Sequence, residues 1–156
     1  MNGGVSDLLV LFLAAALVVA AIGDIRSRTI PNWLTLGIAL AAIPFWVLAD
    51  LPLWPEVALR IGIALFVFAI FAAAFAVGLM GGGDVKLLAA LTLWLPPGAV
   101  MVLIVIMSLA GGALTLAMLI RHKLAKASGQ LEIPYGVAIA FGGLWLIGER
   151  FLNQFG

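Results

Sequence analysis

Among the seven acidic residues of this 156-residue chain, Asp24 and Asp84 stand in sequence contexts unlike the rest. Asp24 follows Gly23 and precedes Arg26, Arg28 and Pro31-Asn32, while Asp84 follows three consecutive glycines, Gly81 to Gly83. Two carboxylates brought close together cannot both ionise cheaply, so they share a proton and titrate as a pair. The ionised member can then take a proton from water while its protonated neighbour donates to a carbonyl oxygen. The other acids have plainer explanations: Asp7, Asp50, Glu56 and Glu149 fall at the ends of apolar runs, and Glu132 in a polar stretch. With no cysteine there is no disulfide, thiolate nucleophile or Cys-based zinc site, and the single histidine, His122, sits in a basic segment. Neither a metal centre nor a cofactor is expected.

The elements that must position these two groups are membrane spans. The chain is 65% hydrophobic and only 10% charged, with a mean hydropathy of +1.28. A chain of this length cannot bury so much apolar surface in its own core, so lipid must cover the remainder. The apolar runs predict an all-α polytopic membrane protein, a bundle of about six transmembrane helices forming one domain over residues 1–156. The expected spans are Ser6–Gly23, Trp33–Ala49, Val57–Met80, Leu87–Leu95, Ala99–Ile120, and Tyr135 to Ile147 or a little beyond. The fourth is short, about half of a roughly 30 Å hydrocarbon core. It must therefore start inside the membrane or be shielded by the other helices. Residues 121–132 form the long polar loop, with Arg121, His122, Lys123 and Lys126.

Parity then relates the aspartates. Two full crossings separate Asp24 from Asp84, so both return to the same membrane face. Of the eight Lys and Arg residues, Arg26, Arg28, Lys86, Arg121, Lys123 and Lys126 share that face, and Arg60 and Arg150 lie on the other. Basic residues favour the cytoplasm, which places the aspartates there and both termini outside. The first run lacks a basic n-region, so it reads as a transmembrane helix and not a signal peptide.

The plain alternative is local pairing at the interface, Asp24 with Arg28 and Asp84 with Lys86. A non-enzymatic membrane scaffold would need no more than that. A proton- or ion-coupled transporter would call for acids deeper in the spans and for inverted repeats, and neither is visible. The basic segment 121–126 is too short to suggest nucleic-acid binding and reads as a lipid-facing patch. The tryptophans, Trp33, Trp46, Trp54, Trp94 and Trp145, fall near span ends as interface anchors.

Asp24-Ile25-Arg26-Ser27-Arg28-Thr29-Ile30-Pro31-Asn32 resembles the first signature of prepilin peptidases, an Asp followed by Arg and Ile-Pro-Asn. Gly81-Gly82-Gly83-Asp84-Val85-Lys86 resembles their second, Gly-x-Gly-Asp-x-Lys, and Pro134-Tyr135-Gly136-Val137-Ala138 a third, with Val137 in place of a second proline. The resemblance implies an intramembrane aspartyl endopeptidase with Asp24 and Asp84 catalytic. Its substrate would be a prepilin or pseudopilin, cut between a basic leader and an apolar helix at the cytoplasmic face of the bacterial inner membrane. Lacking the cysteine-bearing N-terminal region tied to N-methylation, the chain looks like the short, peptidase-only form of tight-adherence (Flp) pilus systems.

The neighbouring residues have expected supporting roles. Gly81 and Gly83 admit a substrate backbone and aim Asp84 through a turn closed to other residues. Lys86 orients a carboxylate or meets anionic lipid, and Arg28 anchors topology. Pro31 starts the second helix from its first turn, while Asn32 caps that helix or hydrogen-bonds near the pair. Tyr135, between Pro134 and Gly136, offers a hydroxyl to the site or sits in the interfacial belt.

Overall fold

A computed structural model describes residues 3–124 and 133–154, and among these the regular structure is helical. The α-helices are α1 (Gly3–Ser27), α2 (Asn32–Leu48), α3 (Ala58–Ala76), α4 (Gly82–Thr92), α5 (Pro97–Leu124) and α6 (Tyr135–Gln154). A short turn, Leu53–Val57, leads into α3 through extended backbone at Trp54 (φ −128°, ψ 130°). By length and composition, four helical stretches can cross a membrane: Gly4–Ser27, Leu53–Ala76, Pro97–Leu124 and Tyr135–Asn153. The 17-residue α2 is apolar but shorter, about 26 Å of helix, and the 11-residue α4 spans only about 16 Å. This is a multi-pass membrane protein.

The contacts at helix ends show how the chain alternates. Asp24, late in α1, meets the start of α6 through Val137. Phe75, late in α3, lies against Gly82 at the start of α4. At the opposite end, Arg60 of α3 reaches Trp94 just beyond α4, and Arg150 of α6 pairs with Asp7 of α1. Successive helices therefore run in opposite directions between an aspartate end and an arginine end.

α4 packs against α2, α3 and α6, and α6 packs against α1, α4 and α5. The short helix is thus wrapped by longer ones. Its residues Asp84, Val85, Leu87, Leu88, Ala90, Leu91 and Thr92 are all buried. In the same buried core lie Leu13 and Leu17 of α1, Ile38 of α2, Leu103 of α5 and Ile139 of α6, each almost wholly inaccessible. Between helices in lipid, van der Waals contact supplies the cohesion that water exclusion supplies elsewhere, so close approach matters. Gly143 shows this. A Cβ there would stand 2.7 Å from Leu17 Cδ1 and 2.9 Å from Leu91 Cδ2, so no larger residue lets α6 meet α1 and α4 this closely. Outward faces are apolar, with Leu8, Phe66, Leu109 and Leu116 exposed as lipid contact requires.

Several boundaries differ from the sequence expectation. α1 continues past Gly23 to Ser27, so Asp24 is helical and the expected nine-residue connection shrinks to a few residues. Arg28 ends the helix in left-handed backbone (φ 54°), its N–H donating to the Asp24 carbonyl at 3.1 Å. α4 begins at Gly82, earlier than the expected Leu87, because the glycines fold as its first turn. Arg121, His122 and Lys123 belong to the last turn of α5, where cations complement the helix dipole, and not to a loop. The remainder of the expected 121–132 loop, with Lys126 and Glu132, lies outside the described residues.

The tryptophans divide into two groups. Trp33, Trp54 and Trp145 are exposed, as anchors should be. Trp46 and Trp94 instead serve the interior. Trp46 Nε1 donates to Leu93 O at 2.9 Å, and the buried Trp94 donates to Ile38 O at 3.0 Å while stacking on Phe45. With Arg60 donating to Trp94 O at 2.8 Å, carbonyls at the C-terminal end of α4 gain side-chain donors in place of the helical partners they lack.

Candidate functional site

Asp24 and Asp84 come from different helices and meet at one place. Both are buried, 4% and 8% exposed. Asp24 lies in the last two turns of α1, and Asp84 in the first turn of α4, three residues past Gly81. Each lies within electrostatic reach of the other. The element that joins them is the start of α6, where the backbone of Gly136 lies close to both carboxylates. The Val137 N–H also donates to Asp24 Oδ2 at 3.3 Å.

The first N–H groups of any α-helix have no partner inside that helix. In α6, which begins at Tyr135, two of these donors are those of Gly136 and Val137. Asp24 thus caps α6 from another helix, a carboxylate at the positive end of the helix dipole. Asp84 caps its own helix in addition, reaching back toward the Gly81 N–H. Two helix N-termini therefore hold two buried carboxylates.

Glycine fits tightly around this arrangement. A Cβ on Gly136 would lie 2.8 Å from Asp24 Oδ2 and 2.7 Å from Ile30 Cδ1. A Cβ on Gly81 would lie 2.9 Å from Asp84 Oδ2, and one on Gly83 would press on Ile30 Cβ at 3.2 Å. The expected special turn at Gly81 to Gly83 is corrected: Gly81 has φ −74°, and positive φ among the described glycines falls at Gly78 (φ 77°). These glycines are required for space and not for a left-handed backbone. Gly81 makes room for the Asp84 carboxylate itself, and Gly83 for the connection between α1 and α2.

Ile30 is the residue that sequence reasoning missed. Only 7% exposed, it wedges between Gly83 of α4 and Gly136 of α6, beside both aspartates. Its signal was an isoleucine before proline in a short polar connection, where an apolar side chain needs a buried destination.

The supporting residues are distributed as follows. Lys86 Nζ donates to Asn32 Oδ1 at 2.9 Å, which ties the two sequence signatures together and leaves Asn32 with no capping role. Pro31 stands at the N-cap of α2, one residue ahead of the expected first-turn position, and its carbonyl accepts from Leu34 and Thr35. Among the described residues neither Asp24–Arg28 nor Asp84–Lys86 forms an ion pair; Arg28 is exposed and acts on Asp24 only through its field. Pro134 is buried and its carbonyl accepts from Val137 N–H at 3.2 Å, so that donor is shared with Asp24. Tyr135 is half-buried with its ring against Gly111 of α5, and no hydrogen bond joins its hydroxyl to either aspartate. Among the described residues no group of three or more His, Cys, Asp or Glu side chains gathers as a metal site would need.

Residues 11–116 match the model of a family described as the type IV leader peptidase family. That stretch contains both aspartates and both flanking signatures, and it ends before Gly136. Comparison with curated proteins and with solved structures found no match.

Proposed function

The chain belongs to the type IV leader peptidase family, and we propose that it cuts its substrate by an aspartyl mechanism in which Asp24 and Asp84 divide the roles of base and acid. The observation that carries this reading is that two buried carboxylates from different helices come together beside the N-terminus of α6. One carboxylate, ionised, takes a proton from a water molecule. The water oxygen attacks the scissile carbonyl carbon, and the protonated carboxyl gives its proton to the carbonyl oxygen. Collapse of the tetrahedral diol breaks the C–N bond: the protonated carboxyl gives its proton to the departing nitrogen while the ionised one takes a proton from a diol hydroxyl, releasing the amine and the new carboxylic acid. The two aspartates, poised with one proton between them, are then ready for another cycle.

The substrate is a prepilin or pseudopilin, cut between its basic leader and its apolar helix, in the cytoplasmic membrane of a bacterium. The site faces the cytoplasm. Support comes from the cations: Arg26, Arg28 and Lys86 cluster at the aspartate end, while Arg60 and Arg150 lie at the other. A basic leader is retained on that side as the following apolar helix enters the bilayer.

The test is cleavage of a purified prepilin by the chain in liposomes, with Asp24→Asn and Asp84→Asn alongside. Each substitution keeps shape and one acceptor oxygen but removes the proton chemistry. Undiminished cleavage by either variant would sink the mechanism.

A further inference from the structure

α2 and α3 each pack on α4 but have little contact with one another. Between them a groove of about 520 Å³ opens sideways, floored by α4. Each of the three helices lends it residues at positions i, i+3, i+4 and i+7; on α4 these are Lys86, Ala89, Ala90 and Leu93. That pattern is a helix-shaped surface, two turns or about 10 Å long, with walls repeating at the helical period. Polar groups are confined to the aspartate end, where Asn32 and Lys86 lie, with Thr35 one turn deeper. The Thr35 hydroxyl is already donated to Asn32 O at 3.1 Å.

Among the described residues the charge at the mouth is unanswered. The Lys86 ammonium has three donors, and its described partner is Asn32 Oδ1 at 2.9 Å. Among the described residues the ion pair is Arg150–Asp7 at the far end, so no carboxylate meets Lys86. Asn32 holds the ammonium in place over the groove without neutralising it.

We propose that this groove seats the apolar helix of the substrate, and that the Lys86–Asn32 pair receives a carboxylate carried near the start of that helix. The inference rests on the peptidase reading above. Lys86 stands only two residues beyond Asp84, about 3 Å along the axis of α4 and on its other side. A helix seated here begins at the level where its preceding residues must unwind to reach the aspartates. Their path crosses the N-terminus of α4, where Gly81 is exposed and presents no side chain. A phospholipid could offer the same ammonium a phosphate, and it is the rival occupant in the test.

The experiment uses peptides with a basic leader, a glycine and an apolar helix, in which a single Glu or Gln is moved through the first eight helix positions. Cleavage is measured in liposomes of phosphatidylcholine alone and again with anionic lipid. At one position Glu should lower KM about three- to tenfold relative to Gln, as a partly desolvated ion pair does. Lys86→Gln should erase that advantage, and Lys86→Glu should restore it for a peptide bearing Lys there. Because the chain has no cysteine, Leu65→Cys on the groove wall and the lipid-facing Leu109→Cys report seating directly. A cysteine in the peptide helix should form a disulfide with the first and not the second. A flat Glu scan, equal crosslinking at both sites, or a Lys86 effect that follows anionic lipid and not peptide charge would overturn the proposal. Should the wild-type chain cleave nothing, the peptidase reading fails; the crosslink pattern still decides on the groove.

Discussion

The two ends of α4 solve the same problem by different means. A helix this short ends where water is scarce, so its terminal N–H and C=O groups need partners from the protein. At the C-terminal end Trp46 donates to Leu93 O and Arg60 to Trp94 O, groups that offer donors and no reactive acceptor. At the N-terminal end the partner is Asp84, joined by Asp24 and by the N-terminus of α6. A carboxylate has about four lone-pair sites and a transferable proton, more than backbone N–H groups consume. One end is closed chemically, and the other keeps capacity to spare. That surplus separates a structural cap from a candidate active site.

The largest expected effect breaks the comparison at its reactive end. Asp84→Asn and Asp24→Asn should each lower kcat by at least about 10³-fold, since base and acid act as a unit. Stability should hardly move for Asp24→Asn, because the Asn carbonyl still accepts from Val137. Single-turnover cleavage of a prepilin and thermal unfolding in detergent, run on the same preparations, check the two halves. A large loss of stability alongside the lost activity would make Asp24 a structural cap like those at the other end.

The helices were legible in the sequence because runs of about 20 apolar residues have few other meanings. The shared face of Asp24 and Asp84 followed from parity, and the structure places both at one end of the bundle. What stayed hidden was set by tertiary contact. Nothing local announces that the Gly136 and Val137 amides seek a carboxylate more than a hundred residues earlier, at Asp24. Gly81 looked like a residue needed for an unusual backbone angle, yet it is needed because the Asp84 carboxylate folds back onto it. Trp46 and Trp94 share composition and span-end placement with the exposed Trp33, so only packing distinguishes them. Where an element is short and enclosed, its neighbours dictate the roles of its residues.

Gly136→Ala tests whether α6 positions the pair. The added methyl would stand 2.8 Å from Asp24 Oδ2 and 2.7 Å from Ile30 Cδ1, so something must shift. Moving a reacting group by about 1 Å costs on the order of 10²-fold in rate, and overpacking costs about 1–3 kcal/mol of stability. The expected signature is a fall in kcat accompanied by a moderate loss of stability. Ile30→Val in the Gly136→Ala background should recover part of both by opening space. Failure to recover either would place the strain at Asp24 alone.

Trp46→Phe probes the closed end and should give the inverse pattern. Phenylalanine keeps the ring but loses the Nε1 donor, leaving Leu93 O without that partner. An unsatisfied acceptor in such surroundings costs about 1–3 kcal/mol. Unfolding in detergent should occur at lower temperature, while cleavage per folded molecule stays within about twofold. A tenfold fall in kcat with intact folding would mean that the C-terminal cap at Leu93 controls the position of Asp84, at the other end of the helix.

The smallest effect belongs to the periphery of the arginine end. Asp7 and Arg150 lie 3.5 Å apart with both side chains about one-third exposed. Arg150 also sits over the Phe45 ring, 5.6 Å from its centroid, and so retains a contact when the carboxylate is lost. Exposed pairs contribute about 0–1 kcal/mol, less as salt rises. Asp7→Asn should therefore shift the unfolding midpoint slightly in low salt and not measurably in high salt, with cleavage unchanged. A larger, salt-insensitive loss would show that α1 and α6 are tied at this end by a desolvated pair, and the arginine end would then hold the site from afar through the two helices that flank Asp24 and Gly136.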